Sequence, residues 1–398
     1  MNVRSAILLL CAVAGAQACD SSITVDAPHD NQPPTNPPKI VSVAAGAHTC
    51  AVSDAGAAYC WGYAASGPFG GGNASATPVR VASGGLVFKV LSISKLQDVT
   101  CGLTTTGAAF CWGENITAQI GDGTKTVRLT PTAVAGGLMF KSIAVGNAHT
   151  CAVTVAGAAY CWGTSFNGAL GGGFHGVRLT PAPAAPGLTF ESIIAGGEYT
   201  CGVTNESAAY CWGLNITGQL GNGDVSAFMS DTPLRVASEA SFTSLAAGNQ
   251  TVCGLTTEGK ALCWGDGFFG AVGDGTAATE GGQTRHYTPT PVAGGLTFQS
   301  LSAGFNTACG IAVTGATYCW GSNFGAIGDG TEDQRSTPTA VTGGVSFQSI
   351  AAGSGFTCGI SASSTVYCWG NNDNGQLGDG TTARTTTPGE VRWPTPSS

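Results

Sequence analysis

The stretch His149-Thr150-Cys151-Ala152-Val153-Thr154-Val155-Ala156-Gly157-Ala158-Ala159-Tyr160-Cys161-Trp162-Gly163 decides the fold. Two short runs of small, β-branched and aromatic residues flank the turn signal Ala156-Gly157, which is the pattern of an antiparallel hairpin. With the turn centred near Ala156, Cys151 and Cys161 stand directly opposite, on one face and within reach of a disulfide. Side chains alternate along a strand, so Tyr160 and Trp162 fall on the other face, where they are expected to pack against a neighbouring unit. The same hairpin is spelled six more times, and each copy predicts a disulfide of its own. The expected pairs are Cys50 with Cys60, Cys101 with Cys111, Cys201 with Cys211, Cys253 with Cys263, Cys309 with Cys319 and Cys358 with Cys368.

Working outward, the run from Leu138 to Gly146 reads as an inner strand closed by glycine. Beyond Cys161-Trp162-Gly163 comes a glycine-rich loop, Gly168 to Gly173, and then an outer strand around Thr180-Pro181-Ala182-Pro183, whose prolines suit an unpaired edge. The unit therefore holds four strands, and it recurs every 49 to 56 residues. Seven copies are enough to close a ring. The expected fold is all-β, a seven-bladed β-propeller of four-stranded antiparallel blades occupying residues 39–392, with a short tail at 393–398.

The first 38 residues follow a different pattern. Arg4, the apolar run Ala6 to Val13 and Ala16-Gln17-Ala18 read as a signal peptide over residues 1–18. Cleavage would leave Cys19 first, where the sequence resembles a bacterial lipobox. Sixteen cysteines less Cys11 leave fifteen, of which fourteen form the seven pairs and Cys19 stands alone, as a lipidated residue should. Residues 19–38 carry five prolines and read as an extended tether. The expected location is the cell envelope, on the periplasmic or the surface side, held to a membrane through the N-terminal lipid; the alternative is a secreted product with a free Cys19 thiol. Paired cysteines suit such an oxidising compartment.

A formal charge of −8 with only 15 Lys and Arg excludes the cationic surface that nucleic acid requires. No metal or cofactor is implied. The cysteine spacing is unlike a zinc site, and Asp122, Asp274, Asp329 and Asp379 each offer a lone carboxylate, better suited to holding a turn than to binding calcium. No catalytic constellation is readable. His48 and His149, at one repeat position, are expected to hydrogen-bond backbone rather than to act on a substrate.

The hairpin, followed by loops such as Gln119-Ile120-Gly121-Asp122-Gly123-Thr124, Gly218-Gln219-Leu220-Gly221 and Gly375-Gln376-Leu377-Gly378-Asp379-Gly380-Thr381, resembles the repeat of the regulator of chromosome condensation family. The resemblance implies a seven-bladed propeller. Its founding member is a nucleotide exchange factor that binds chromatin, and secreted relatives include a protein-binding inhibitor, so exchange activity would be carried here by fold analogy alone.

Recognition is the expected role, with another protein or a cell-surface glycan as partner and a monomeric chain. The alternative is a hydrolase or lyase at the channel mouth. Loops joining strands one to two and three to four share one face, and the candidate binding residues belong to it. They are His48, Asp98, His149, Tyr199, Gln250, Asn306 and Phe356 on an inner ring, Phe228 in unit four, and Phe268, Phe269, Arg285, His286 and Tyr287 in the longest insertion, since aromatic and Arg side chains anchor interfaces. Unit two departs from the pattern with Leu96 where other inner strands end in glycine, followed by Gln97-Asp98.

Overall fold

A computed structural model describes residues 37–63, 74–276 and 284–394. The signal segment, Cys19 and most of the tether lie outside them.

The chain is a seven-bladed propeller, and each blade is a four-stranded antiparallel sheet made of four consecutive strands. The blades span 40–80, 88–133, 140–183, 190–235, 242–291, 298–340 and 347–390. In the third blade the strands are Phe140–Val145, His149–Thr154, Ala159–Ser165 and Gly176–Pro183. Cys151 stands opposite Cys161 across the hairpin and is bonded to it. The other six blades repeat the bridge as the sequence predicts, ten residues apart in every case. Cys50 is bonded to Cys60, Cys101 to Cys111 and Cys201 to Cys211. Cys253 is bonded to Cys263, Cys309 to Cys319 and Cys358 to Cys368. No bridge joins two blades among the described residues, so each sulfur pair secures its own hairpin. A loop that short restricts the unfolded chain by roughly 2 to 3 kcal/mol per bridge.

Alternation along the third strand gives each blade two unlike faces. The tryptophan face of one blade lies on the disulfide face of the blade before it: Phe140 and Trp162 share a core cluster with Cys101, Cys111 and Ile120. All seven Cys-Trp-Gly tryptophans are fully buried. The indole of Trp162 donates to the Gln119 carbonyl at 2.8 Å, and the same bond joins Trp212 to Ala169, Trp264 to Gln219 and Trp369 to Ala326. The glycine loops complete this contact. Gly121 takes φ +74°, and a Cβ there would lie 2.5 Å from the Trp162 indole nitrogen. The Gly-Gln-Leu-Gly and Cys-Trp-Gly motifs are thus two halves of one seam, contributed by successive blades.

Among the described residues no strand is exchanged between the first and last blades; loop backbone and side chains close the ring, with the Gly380 and Ser354 N–H groups donating to the Ala76 and Gly46 carbonyls at 2.9 and 3.0 Å. Trp61 and Thr49 donate to the Gln376 carbonyl at 3.0 and 2.8 Å. Trp393, just past the last strand, sets its ring edge-on against Tyr59 and Trp61. Both ends of the described chain therefore leave from the face that carries the tight two-to-three hairpins. Asp122, Asp274, Asp329 and Asp379 accept from the backbone two residues on, holding their own turns.

Candidate functional site: the loop face and its apolar pocket

The loop face is shaped by the residue two positions before each second-strand cysteine. His48, Val99, His149, Tyr199, Thr251, Thr307 and Phe356 occupy that place. Wherever the residue is large it fills the seam to the next blade. His48 Nε2 hydrogen-bonds Thr100 Oγ1 at 2.7 Å, and His149 Nε2 does the same with Thr200 at 2.9 Å. Tyr199 donates to the Gly248 and Thr251 carbonyls at 3.0 and 2.9 Å, and Phe356 packs among Ile40, Ala45 and Trp61.

These placements correct the expected inner ring. His48, His149, Tyr199 and Phe356 are buried struts between blades, and hydroxyls of the next blade are partners of both histidines, His149 also meeting the Tyr199 backbone. Asp98 is also buried. The physical reason is register: His48, His149, Tyr199 and Phe356 stand two positions before the cysteine and turn into the seam, whereas Gln250 and Asn306 stand three before it and are only half-buried; Asp98 shares their register but is buried beside the His48 imidazole. Burial holds the His48 imidazole at about 3 and that of His149 at about 4, so both are neutral near pH 7. His48 Nδ1 stands 3.9 Å from Asp98, giving a hydroxyl, imidazole and carboxylate in sequence, but Thr100 is fully buried and no substrate reaches its oxygen. The His149–Thr200 bond repeats this strut two blades on.

Blades five and six carry Thr at the strut position, and each turns back on its own blade: Thr251 donates to the Asp266 carbonyl and Thr307 to that of Ser322, both at 2.7 Å. The seam beyond Thr307 is left open. A cavity of about 380 Å³ occupies it, walled by Phe305, Phe324, Phe269 and Leu96 and edged by Asn306 and Asn371. Each wall has a separate origin. Phe269 sits in a short 3-10 turn, Phe268–Gly270, at φ +61°, a conformation side chains seldom adopt, with its ring 4.3 Å from that of Phe268. Leu96 reaches across the channel mouth from the second blade.

The same departure in the second blade plugs the channel. Lys95 Nζ donates to the carbonyls of Ala45 and Ala352 at 2.8 and 2.7 Å, tying the second blade to the first and last. Ser354 donates to the Lys95 carbonyl and lines the pocket as well. Loss of hydration lowers the amine to about 8. Beneath it the inner strands enclose a cavity of about 290 Å³ lined by Val43, Leu91, Ile143 and Ile350 among others.

Of the expected residues, Phe269 and Asn306 line the pocket, and Phe268 borders it. Gln250 is half-buried in the fifth blade's inner loop. Phe228, just before the fourth blade's outer strand, and Arg285, at the start of the fifth blade's, are exposed, while His286 stands 3.6 Å from Asp274 and Tyr287 is half-buried. Sequence reasoning missed Lys95, Phe305 and Phe324, and noted Leu96 only as an irregularity.

The regulator of chromosome condensation (RCC1) repeat matches residues 106–153, 206–255, 314–360 and 363–397, and a second form of the same repeat matches 140–169, 242–271 and 347–376. The chain belongs to the RCC1 repeat family. Several solved structures are similar to it. Prp20p from Saccharomyces cerevisiae, described by its binding properties to Gsp1p and histones, is 19% identical over 84% of this chain and 85% of that one, with a TM-score of 0.73. Human WBSCR16 is 16% identical over 85% and 95%, with a TM-score of 0.74. The ectodomain of the receptor kinase CR4 from Physcomitrella patens is 24% identical over 83% and 74%, with a TM-score of 0.52. At such identities the likeness is one of fold.

Proposed function

We propose that this RCC1-repeat propeller is an exported, lipid-anchored binding scaffold that recognises another protein through its loop face. The observation that carries the proposal is the apolar pocket beside Thr307, with Phe305, Phe324, Phe269 and Leu96 as walls and two amides at its edge. Concave, mainly apolar sites with a few polar groups are where ligands and interface anchors seat. Asn306 has no hydrogen-bond partner for its side chain among the described residues, which leaves the amide available to a ligand. Seven disulfides belong in an oxidising compartment. No helix among the described residues is long and apolar enough to cross a membrane. Anchoring through Cys19 would join the propeller at its hairpin face, because residues 37–39 lead into the inner strand there, and the loop face would point away from the membrane.

The test is a photo-crosslinking amino acid placed at Asn306 in the intact protein in the cell that makes it. The proposal predicts an adduct that protease removes. An adduct removed only by glycosidases, or none at all, would reject protein recognition.

A further inference from the structure

Aligned on the third-strand cysteine, the position five residues later falls at the tip of the three-to-four loop. It holds Ile116, Phe166, Ile216, Phe268 and Phe324 in blades two to six. These side chains are 63, 75, 39, 45 and 53% exposed. The equivalent place in the first blade lies outside the described residues, and in the seventh it is Asp373, also exposed. The fold therefore accepts a charge at this position, and although Phe268 packs on Phe269 and Phe324 lies beneath Arg384, Ile116, Phe166 and Ile216 have no such ring contact. Single exposed apolar side chains are ordinary, but a set at one repeat position on one face marks a contact surface.

The charges between them specify the partner. Among the described residues, Glu114, Glu198, Asp224, Asp266, Asp333 and Asp373 lie on loop-face segments and form no ion pair, against Lys125 and Arg285 as cations without one, while Lys95 is held by the Ala45 and Ala352 carbonyls and Arg178 is stacked on Phe174. Arg384 is engaged by Glu332 at 3.3 Å. We infer that this crown of apolar tips, with Phe324 shared between crown and pocket, docks a partner protein whose contact surface is apolar and bordered by Lys or Arg. Apolar centres with complementary charge around them give interfaces their affinity and their rate of encounter. The inference rests on the loop face being a protein-recognition face and adds the chemistry of what it recognises.

The probe is a displayed library of disulfide-closed random peptides panned on the full folded protein, with a glycan array run beside it. Two variants serve as controls. One carries Phe166→Ser and Phe324→Ser, the other Asp333→Asn and Asp373→Asn, and intact disulfides with an unchanged melting transition certify their folds. The expected result is enrichment of peptides combining aromatic or branched aliphatic residues with Lys or Arg. Their affinity should fall roughly tenfold or more on the aromatic variant and weaken both with salt and on the carboxylate variant. Acidic peptides, or peptides that bind both variants as well as the parent, would overturn the inferred chemistry and leave protein recognition standing. Binding on the glycan array with no enriched peptide would overturn both, and a blank in both assays would overturn the crown as a docking surface.

Discussion

The two faces of the propeller are built by the same repeat and have opposite characters. On the hairpin face each turn closes within about four residues, and in blades one to five it accepts a backbone hydrogen bond from the next inner strand; Gly107, for instance, leaves only 2.9 Å between an added Cβ and the Phe140 carbonyl. Through those five blades the face keeps its shape because its turns are also contacts between blades. On the loop face the seam is secured lower down, by indole bonds such as Trp162 to Gln119 and by the struts His48, His149, Tyr199 and Phe356. Its loop tips are released from packing, so they carry exposed aromatics and the open seam beside Thr307. The difference teaches that a uniform frame is what allows one face to vary.

Both faces depend on the frame beneath them. Trp162→Ala removes a fully buried indole and its bond to Gln119, and is expected to cost about 3 to 5 kcal/mol in chemical denaturation while disabling both faces together. Loss of loop-face binding without that destabilisation would mean that the frame and the recognition surface are separable in another way.

Acid should act through the struts. The folded-state pKa values of His48 and His149, about 3 and about 4, lie below the ordinary 6.5, so the unfolded chain binds more protons in between. Their contribution to stability is present above about pH 6.5 and is lost as pH falls toward 4 and 3. Replacing both by Phe, the residue that fills this position in the seventh blade, should flatten the acid limb of a stability profile measured by denaturant titration. An unaltered limb would show that these imidazoles are not the buried neutral groups described.

The mildest changes sharpen the contrast between the faces. Phe324→Ala is expected to alter stability by no more than about 0.5 kcal/mol, because the ring is 53% exposed, yet to weaken partner binding by about tenfold. Val155→Ala, at a hairpin tip and 66% exposed, should change neither quantity. Calorimetry and a binding titration on both variants decide whether exposure on the two faces has different consequences.

The frame was legible in the sequence because its elements are covalent or periodic. Each Cys pair fixes its hairpin's register, and the tryptophan between cysteine and glycine can only lie on the opposite face. The pocket was much less so. Its lining comes from the second, fifth, sixth and seventh blades, and adjacency across a ring is not written in any one repeat. Counting from the cysteine would have separated Asp98, Gln250 and Asn306 from His48, His149, Tyr199 and Phe356, because the disulfide holds the register while the inner loop varies in length. The same count would have aligned Phe166, Phe268 and Phe324 with Ile116 and Ile216. Lys95 gave its signal as a break in the pattern, beside a leucine where other units keep glycine.

The most direct test of recognition by the loop face is oxidative footprinting of the protein in its native cells compared with the purified chain. Protection of Phe166, Phe268 and Phe324, with Val155 and Val313 labelled equally in both settings, is the predicted result. Protection confined to the hairpin tips, or spread evenly over both faces, would contradict it.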